Sequence, residues 1–303
     1  MLKRCSKSIL LVLAFLLVFS FGVGASQFPV EMTDDLGREV VIEEEPERIV
    51  SLAPSLTEKI YALGLEDRLV AVTEQDNYPP EVEEKAQVGT TREPNLEKIV
   101  ELDPDLILAA SVNPREKVSH MEELGFKVVG LDARTLEGVI DNISRVGELT
   151  GSREEAEELT AELRGRKEDV ISRVEGLSEE ESPKVFYEVW RDPLTTAGPG
   201  TFINNIIKTA GGVNIAEDAE QQWPQYSLEV LFDKNPEVYL TTSHSWEEEV
   251  TKESVKERDN FQQIKAVEEG RIYVLNPDII NRPGPRAIDA LEQIAKALHP
   301  ELF

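Results

Sequence analysis

Two stretches decide the fold of this 303-residue chain: Leu96-Glu-Lys-Ile-Val-Glu-Leu-Asp-Pro-Asp-Leu-Ile-Leu108 and Leu228-Glu-Val-Leu-Phe-Asp-Lys-Asn-Pro-Glu-Val-Tyr-Leu240. Leu96, Glu97, Pro104, Asp105 and Leu108 recur 132 residues later as Leu228, Glu229, Pro236, Glu237 and Leu240. Asn95 and Ser227 stand just before the copies, where a side-chain oxygen can accept from the free N–H groups of a helix start. Each copy therefore reads as a capped short helix, a proline-containing turn and a buried strand. After each come a second helix, a glycine (Gly125, Gly270), another apolar strand and a helix rich in alanine, isoleucine or leucine. Self-similarity carried over several elements points to two related lobes.

Working outward, β-branched runs at residues 48–52, 69–73, 106–110, 127–131, 184–189, 238–242 and 271–275 alternate with helix-like segments. That alternation predicts an α/β protein with largely parallel sheets. A helix over residues 57–63 is opened by Pro54 or Ser55. Between the copies, residues 152–177 are rich in Glu, Arg, Lys and Leu and free of proline, with Ala156, Leu159, Leu163, Val170 and Val174 at helical spacing. This predicts one long helix with a wet face, interrupted at most by Gly165 or Gly176. A polar loop over residues 178–182 then releases the chain into the second lobe. A flexible tether would be rich in Gly, Ser or Pro, so the joint reads as a strut. The expected division is a signal peptide at 1–25, an N-terminal α/β lobe at 26–150, an interlobe helix at 151–180 and a C-terminal α/β lobe at 181–303. Ligand sites of open α/β sheets collect beyond the carboxyl ends of the strands.

The chain begins with Lys3, Arg4 and Lys7, an apolar run from Ile9 to Val23, and the small residues Gly24, Ala25 and Ser26. That layout predicts export, with cleavage after Ala25; an uncleaved anchor is the competing reading. The only cysteine, Cys5, precedes the apolar run, so the mature chain would carry neither a thiol nor a lipid anchor. Losing residues 1–25 takes the net charge from −27 to −30. Such a surface repels phosphate backbones, which argues against nucleic acid as a partner. It keeps a protein dispersed, and salt would relieve its self-repulsion. Residues 26–303 are enough for two domains, each with its own core.

No P-loop, dinucleotide GxGxxG, GxSxG elbow or His-rich metal pattern occurs. His120, His244 and His299 are scattered, so no resident metal is expected. His244 follows the run at 238–242 but reads as an ordinary loop residue. The segment from Trp190 to Phe202 reads as a strand-to-helix loop. Glu97 and Glu229 both fall in the first turn of their helices, where the helix dipole favours a carboxylate. Both lobes keep the acid at the same repeat position, which a two-fold symmetric partner could read with two equivalent basic sockets.

From about Pro46 to the C-terminus the chain resembles the substrate-binding proteins of ABC importers for vitamin B12, ferric siderophores and haem. The resemblance rests on Arg48-Ile-Val-Ser-Leu-Ala-Pro-Ser-Leu-Thr-Glu58, Tyr78-Pro-Pro80, Asn95-Leu-Glu-Lys-Ile-Val100 with Pro104-Asp-Leu106, Gly211-Gly-Val-Asn-Ile215, and Trp223-Pro-Gln-Tyr-Ser-Leu-Glu229. It implies a two-lobed, non-enzymatic, monomeric capture protein without a cofactor, which binds its ligand in the cleft between the lobes through loops following the strands. The loaded protein would dock through Glu97 and Glu229 onto a dimeric permease that carries separate ATPase subunits. By position, the pocket of the corrinoid binders falls on Gln75, Thr91, Ala110, Trp223, Asp278 and Arg282. Trp223, Asp278 and Arg282 keep the family's residue types; Thr91 and Ala110 replace tryptophans and Gln75 replaces a tyrosine. A corrin presents a broad apolar face, so Tyr78, Trp190, Trp223 and Tyr226 are the candidates for its aromatic walls. The rival ligands within the family are ferric siderophores and haem: Arg92, Arg191 and Arg282 could meet an anionic iron chelate, and Tyr or His could ligate haem iron. The rival outside it is a metal-dependent enzyme using carboxylates such as Asp103, Asp105 and Asp132.

Overall fold

The computed structural model describes residues 27–243 and 250–303. The expected signal segment and His244 lie outside the described residues.

A two-stranded antiparallel ribbon, β1 (Val30–Thr33) and β2 (Glu39–Ile42), precedes the first lobe. Its turn is held by Asp34, whose carboxylate accepts from the backbone N–H groups of Leu36 and Arg38. The first lobe then runs β3 (Ile49–Ser51), α1 (Pro54–Ala62), β4 (Leu69–Val72), β5 (Ala86–Gln87), α2 (Leu96–Leu102), β6 (Leu106–Ala109), α3 (Arg115–Glu123), β7 (Val128–Gly130) and α4 (Leu136–Thr150). Its five strands pair in the order β5-β4-β3-β6-β7, all parallel. A long helix, α5 (Arg153–Val174), leads out. The second lobe follows as β8 (Lys184–Arg191), β9 (Leu194–Thr196), α6 (Phe202–Thr209), β10 (Val213–Asn214), α7 (Leu228–Lys234), β11 (Val238–Thr242), α8 (Lys252–Lys256), α9 (Lys265–Glu268), β12 (Ile272–Leu275), α10 (Pro277–Ile280) and α11 (Ala287–Leu298). Its sheet order is β10-β8-β11-β12, with β9 added antiparallel to β8.

The repeat is realised atom by atom. Asn95 accepts from the Lys98 N–H at the start of α2, and Ser227 accepts from the Val230 N–H at the start of α7. Both helices end on a left-handed residue, Asp103 at φ 45° and Asn235 at φ 41°, just before the repeated proline. Asp and Asn tolerate that conformation better than most side chains because they can hydrogen-bond locally. Beyond the proline, the Asp105 carboxylate accepts from the Arg48 N–H entering β3, and Glu237 accepts from the Lys184 N–H entering β8. The repeat strand is the neighbour of the lobe's first strand in both sheets, with Leu106 opposite Ile49 and Val238 opposite Val185.

Two features differ from the expectation. The segment after Trp190 is not a plain loop: β8 continues through Arg191 and the chain turns back as β9, placing Thr196 opposite Glu188, before Thr201 caps α6. The lobes also do not have wholly separate cores. The largest apolar cluster joins Ile49 and Leu106 of the first sheet, Ile143 and Val146 of α4, Leu163 and Val170 of α5, and Val185, Leu291 and Ile294 of the second lobe. Only the opposite face of each sheet keeps a cluster of its own, around Ile107 and Met121 in one lobe and Phe186 and Tyr239 in the other. The cause is α5, whose buried stripe Ala156, Leu163, Val170 recurs every second turn and faces both α4 and α11.

At 1.5 Å per residue the 22 residues of α5 span about 33 Å. Gly165 lies inside this continuous helix, and Gly176, at φ 87°, follows its end. Arg164 pairs with Glu137 and Asp141 on α4, while Arg166 pairs with Asp289 and Glu292 on α11. The strut is thus tied to both lobes from within a single turn. Among the described residues no helix is long and apolar enough to cross a membrane.

Candidate functional site

Because β3 to β7 all run the same way, the loops at their carboxyl ends gather along one edge of the first sheet. They supply Ala53 to Ser55, Gln75, Thr91, Ala110 to Val112 and Leu131 to Ala133 to one wall of a cavity of about 340 Å³. The second lobe contributes Asn281, Arg282 and Pro283, from the end of α10 and the loop beyond it. The cavity therefore sits between the lobes.

Asn113, 4 % exposed, positions three of these loops at once. Its carbonyl oxygen accepts from the Ala110 N–H, and its amide donates to the carbonyls of Leu52 and Thr91. Gln75 turns back onto its own lobe, accepting from the Thr91 N–H at 2.8 Å. Beneath the same loop the Asp76 carboxylate accepts from the backbone N–H and hydroxyl of Thr73. Burial drives the Asp76 carboxyl above its usual range, and these hydrogen bonds only partly offset it.

The two lobes are joined across the cleft by charged groups. Glu58 on α1 is 4 % exposed and receives a forked pair of bonds from Arg286, at 3.0 and 2.6 Å. Burial opposes the Arg286 charge, but the Glu58 carboxylate outweighs it and raises the guanidinium above its ordinary range. The ring of Tyr78 lies 3.8 Å from the same guanidinium. Arg282 donates to Asn77 Oδ1 at 2.7 Å and to the Gln75 carbonyl at 3.2 Å, pairs with Asp278 at 2.7 Å, and stands 3.6 Å from Glu58. Asn77 in turn donates to Asp278 at 2.8 Å. Gly284 allows this approach: a Cβ there would come within 2.9 Å of a Glu58 carboxylate oxygen.

Lys59, next to Glu58, is 1 % exposed and lines the cavity. Its ammonium donates to the Ser55 carbonyl at 3.2 Å and, across the cleft, to the Pro283 carbonyl at 2.6 Å. Burial pulls its pKa down to about 8, against a weaker upward pull from Glu58.

Of the pocket residues expected from the sequence, Gln75, Thr91, Ala110 and Arg282 meet in the cavity wall. Asp278 stands one turn before Arg282 and is bound to it. Tyr78, Trp190, Trp223 and Tyr226 are not among the cavity-lining residues. Trp190 donates its indole N–H to the Asp192 carbonyl, and Trp223 is 50 % exposed. Tyr226 belongs to the outer core of the second lobe, with its ring 5.8 Å from Phe186 and its hydroxyl on the Ile215 carbonyl. Glu97 and Glu229 are exposed at the second position of α2 and α7, each outside any ion pair among the described residues. Of the carboxylates that an enzyme reading would use, Asp103 ends α2, Asp105 is spent on backbone N–H groups, and Asp132 lines the cleft. Glu58, Lys59, Asn113 and Arg286 were not singled out from sequence. A buried Glu-Lys pair inside an apolar helix was the available signal, but its partners lie more than 220 positions away.

This architecture has known counterparts. A crystal structure of the periplasmic vitamin B12 binding protein BtuF of Vibrio cholerae matches with a TM-score of 0.74 and 33% identity over 84% of this chain and 97% of that one. An uncharacterized ABC transporter substrate-binding lipoprotein of Bacillus subtilis, YvrC, is 34% identical over 91% of this chain and 87% of its own length. A cobalamin-binding protein of Halobacterium salinarum is 32% identical over 91% of this chain and 75% of its own. The family model for periplasmic binding proteins matches residues 49–279, from the start of β3 into α10. The chain belongs to the periplasmic binding protein family.

Proposed function

We propose that this chain is the extracytoplasmic capture subunit of an ABC importer and that its ligand is a corrinoid. The observation that carries the reading is the interlobe cavity, walled by the strand ends of one lobe and the Arg282 loop of the other, in a chain similar to proteins named for vitamin B12 and cobalamin. Pockets of about 300–1,000 Å³ suit ligands of drug size, and a corrin with its appended nucleotide is larger than the cavity seen here. Capture on this reading requires the seam of Glu58–Arg286, Lys59–Pro283 and Asn77–Asp278 to part, bringing Trp223 and Tyr78 into reach as aromatic walls. The continuous α5 strut and the shared core keep that opening small.

The division we adopt is a signal segment at 1–25, lobes at 26–150 and 181–303, and a joining region at 151–180. The two sheets and the helix between them support it. Glu97 and Glu229 are the proposed contacts to a dimeric permease, which would be energised by ATPase subunits on the far side of the membrane. The exposure and equivalent caps of the two acids support that role. The protein acts as a monomer without enzymatic turnover.

A second reading, an anionic iron chelate or haem, draws on the wall itself: two cations, Arg282 and Lys59, and no indole at positions 91 and 110. Titration of the purified protein with cyanocobalamin, a ferric hydroxamate and haem, followed by tryptophan fluorescence, separates the two. Saturable binding of cyanocobalamin is expected; binding of an iron compound alone would overturn the corrinoid assignment.

A further inference from the structure

Lys59 is the one buried lysine among the described residues, and its surroundings leave its charge short of a counter-ion. An ammonium carries three donors, and two go to carbonyls, at Ser55 and Pro283. The carboxylate beside it, Glu58, is already engaged by Arg286 on both oxygens and faces Arg282 as well. Asp278 is bound to Arg282 and Asn77, and Asp132 pairs with Arg134 at 3.3 Å. The remaining polar side chains on the cavity wall, Ser55, Gln75, Thr91, Ser111, Asn142 and Asn281, are neutral. Taking an ammonium out of water without a paired anion is costly. An anion entering the cavity would supply the missing partner, and Arg282 on the opposite lobe lines the same space.

We propose that Lys59 and Arg282 form an oxyanion subsite in the cleft and that the captured ligand presents a carboxylate or phosphate oxygen to it. The proposal rests on the reading of the cleft as the ligand site. It makes Lys59 a specificity-determining residue: with one cation on each lobe, an oxyanion between them both neutralises the buried charge and draws the lobes together. A neutral ligand of equal size would leave the ammonium unpaired and bind more weakly.

The test follows the lysine side-chain resonances of the full chain, labelled with carbon-13 at the ε position, across a pH titration. The Lys59 signal is identified by its loss in Lys59→Met, or by its loss in Lys59→Arg should the first variant fold poorly. The titration is run in sodium chloride, in inorganic phosphate at equal ionic strength, and with cyanocobalamin, whose phosphodiester is the relevant oxyanion. An adjacent anion favours the charged form of an amine, so phosphate is expected to move the Lys59 midpoint upward by about one pH unit or more. An unchanged midpoint in phosphate would overturn the subsite. If phosphate shifts the midpoint and cyanocobalamin neither binds nor shifts it, the subsite stands and the corrinoid reading falls. If cyanocobalamin binds with the same affinity at neutral pH and above the Lys59 midpoint, and phosphate has no effect, the capture reading stands and the subsite is refuted.

Discussion

Glu58 with Arg286 and Glu188 with Arg258 are both forked carboxylate–guanidinium pairs with an almost fully buried acid, yet they join different things. Glu188 lies on β8 and Arg258 just beyond α8, within one lobe. Tyr239 of β11 adds its hydroxyl to the same carboxylate, with Thr241 at 3.4 Å. Burial and the Glu188 charge together push the Tyr239 phenol well above its ordinary range, so it stays a neutral donor. Arg258 is 8 % exposed, and its Nε has no partner among the described atoms. Glu58 and Arg286, by contrast, belong to opposite lobes, and the arginine keeps some contact with solvent. The difference marks which pair would part if the lobes were to separate. A pair sealed inside one lobe cannot separate without exposing an uncompensated charge in a dry core, whereas a pair at the cleft edge can be rehydrated as it opens.

The comparison can be broken by removing one member at a time, and the largest effect should come from the sealed pair. Arg258→Met leaves Glu188 buried without a counter-charge and should cost about 3–5 kcal/mol in urea unfolding. Glu58→Gln should cost less, about 2 kcal/mol, because water can reach Arg286 once the pair is lost. It should also loosen the lobes, seen as faster amide hydrogen exchange in α1 and in the loop around Arg282. Equal costs for the two variants would erase the distinction. Asn113→Ala strips three hydrogen bonds from the first-lobe loops and should cost about 1–3 kcal/mol, together with a loss of ligand affinity measurable by titration.

Lys59 sharpens the comparison through pH. Its folded-state pKa of about 8 lies below the ordinary 10.5, so between those values the unfolded chain binds more protons and stability rises with pH. At neutral pH the charged, buried Lys59 therefore works against folding, and that penalty is relieved as pH climbs through 8 toward 10.5. The stability of Lys59→Met relative to the parent should accordingly fall across this window; a flat difference in urea unfolding would contradict the burial argument. The smallest effect on stability should come from reversing both Glu97 and Glu229 to Lys, within about 0.5 kcal/mol for exposed sites. Uptake in cells should nevertheless be lost while ligand affinity is kept, and intact uptake would remove their docking role.

Much of the architecture was legible without coordinates because its signals are local. Asn95, Ser227 and the proline after each short helix act on neighbouring backbone groups, so the repeat, its caps and its strands could be read directly. The alternation of apolar runs gave parallel sheets, and the spacing from Ala156 to Val174 gave the strut. The β8–β9 hairpin was missed because nothing near Trp190 distinguishes a returning strand from a loop. Gln75, Thr91, Ala110 and Arg282 could be placed in the cleft by family resemblance. That route could not foresee that Asp278 would be occupied by Arg282 and Asn77, or that Tyr226 would support the outer core.

The amino-acid sequence by itself determined two lobes of one design joined by a helix, since period, caps and turns are properties of neighbouring residues. Tertiary structure alone decided how the lobes meet: which charges face each other, that Lys59 is buried, and that the core runs through the strut. Those outcomes depend on residues more than 200 positions apart, such as Glu58 with Arg286 and Lys59 with Pro283. The energies of such contacts are set by the dielectric and geometry that only the closed cleft creates.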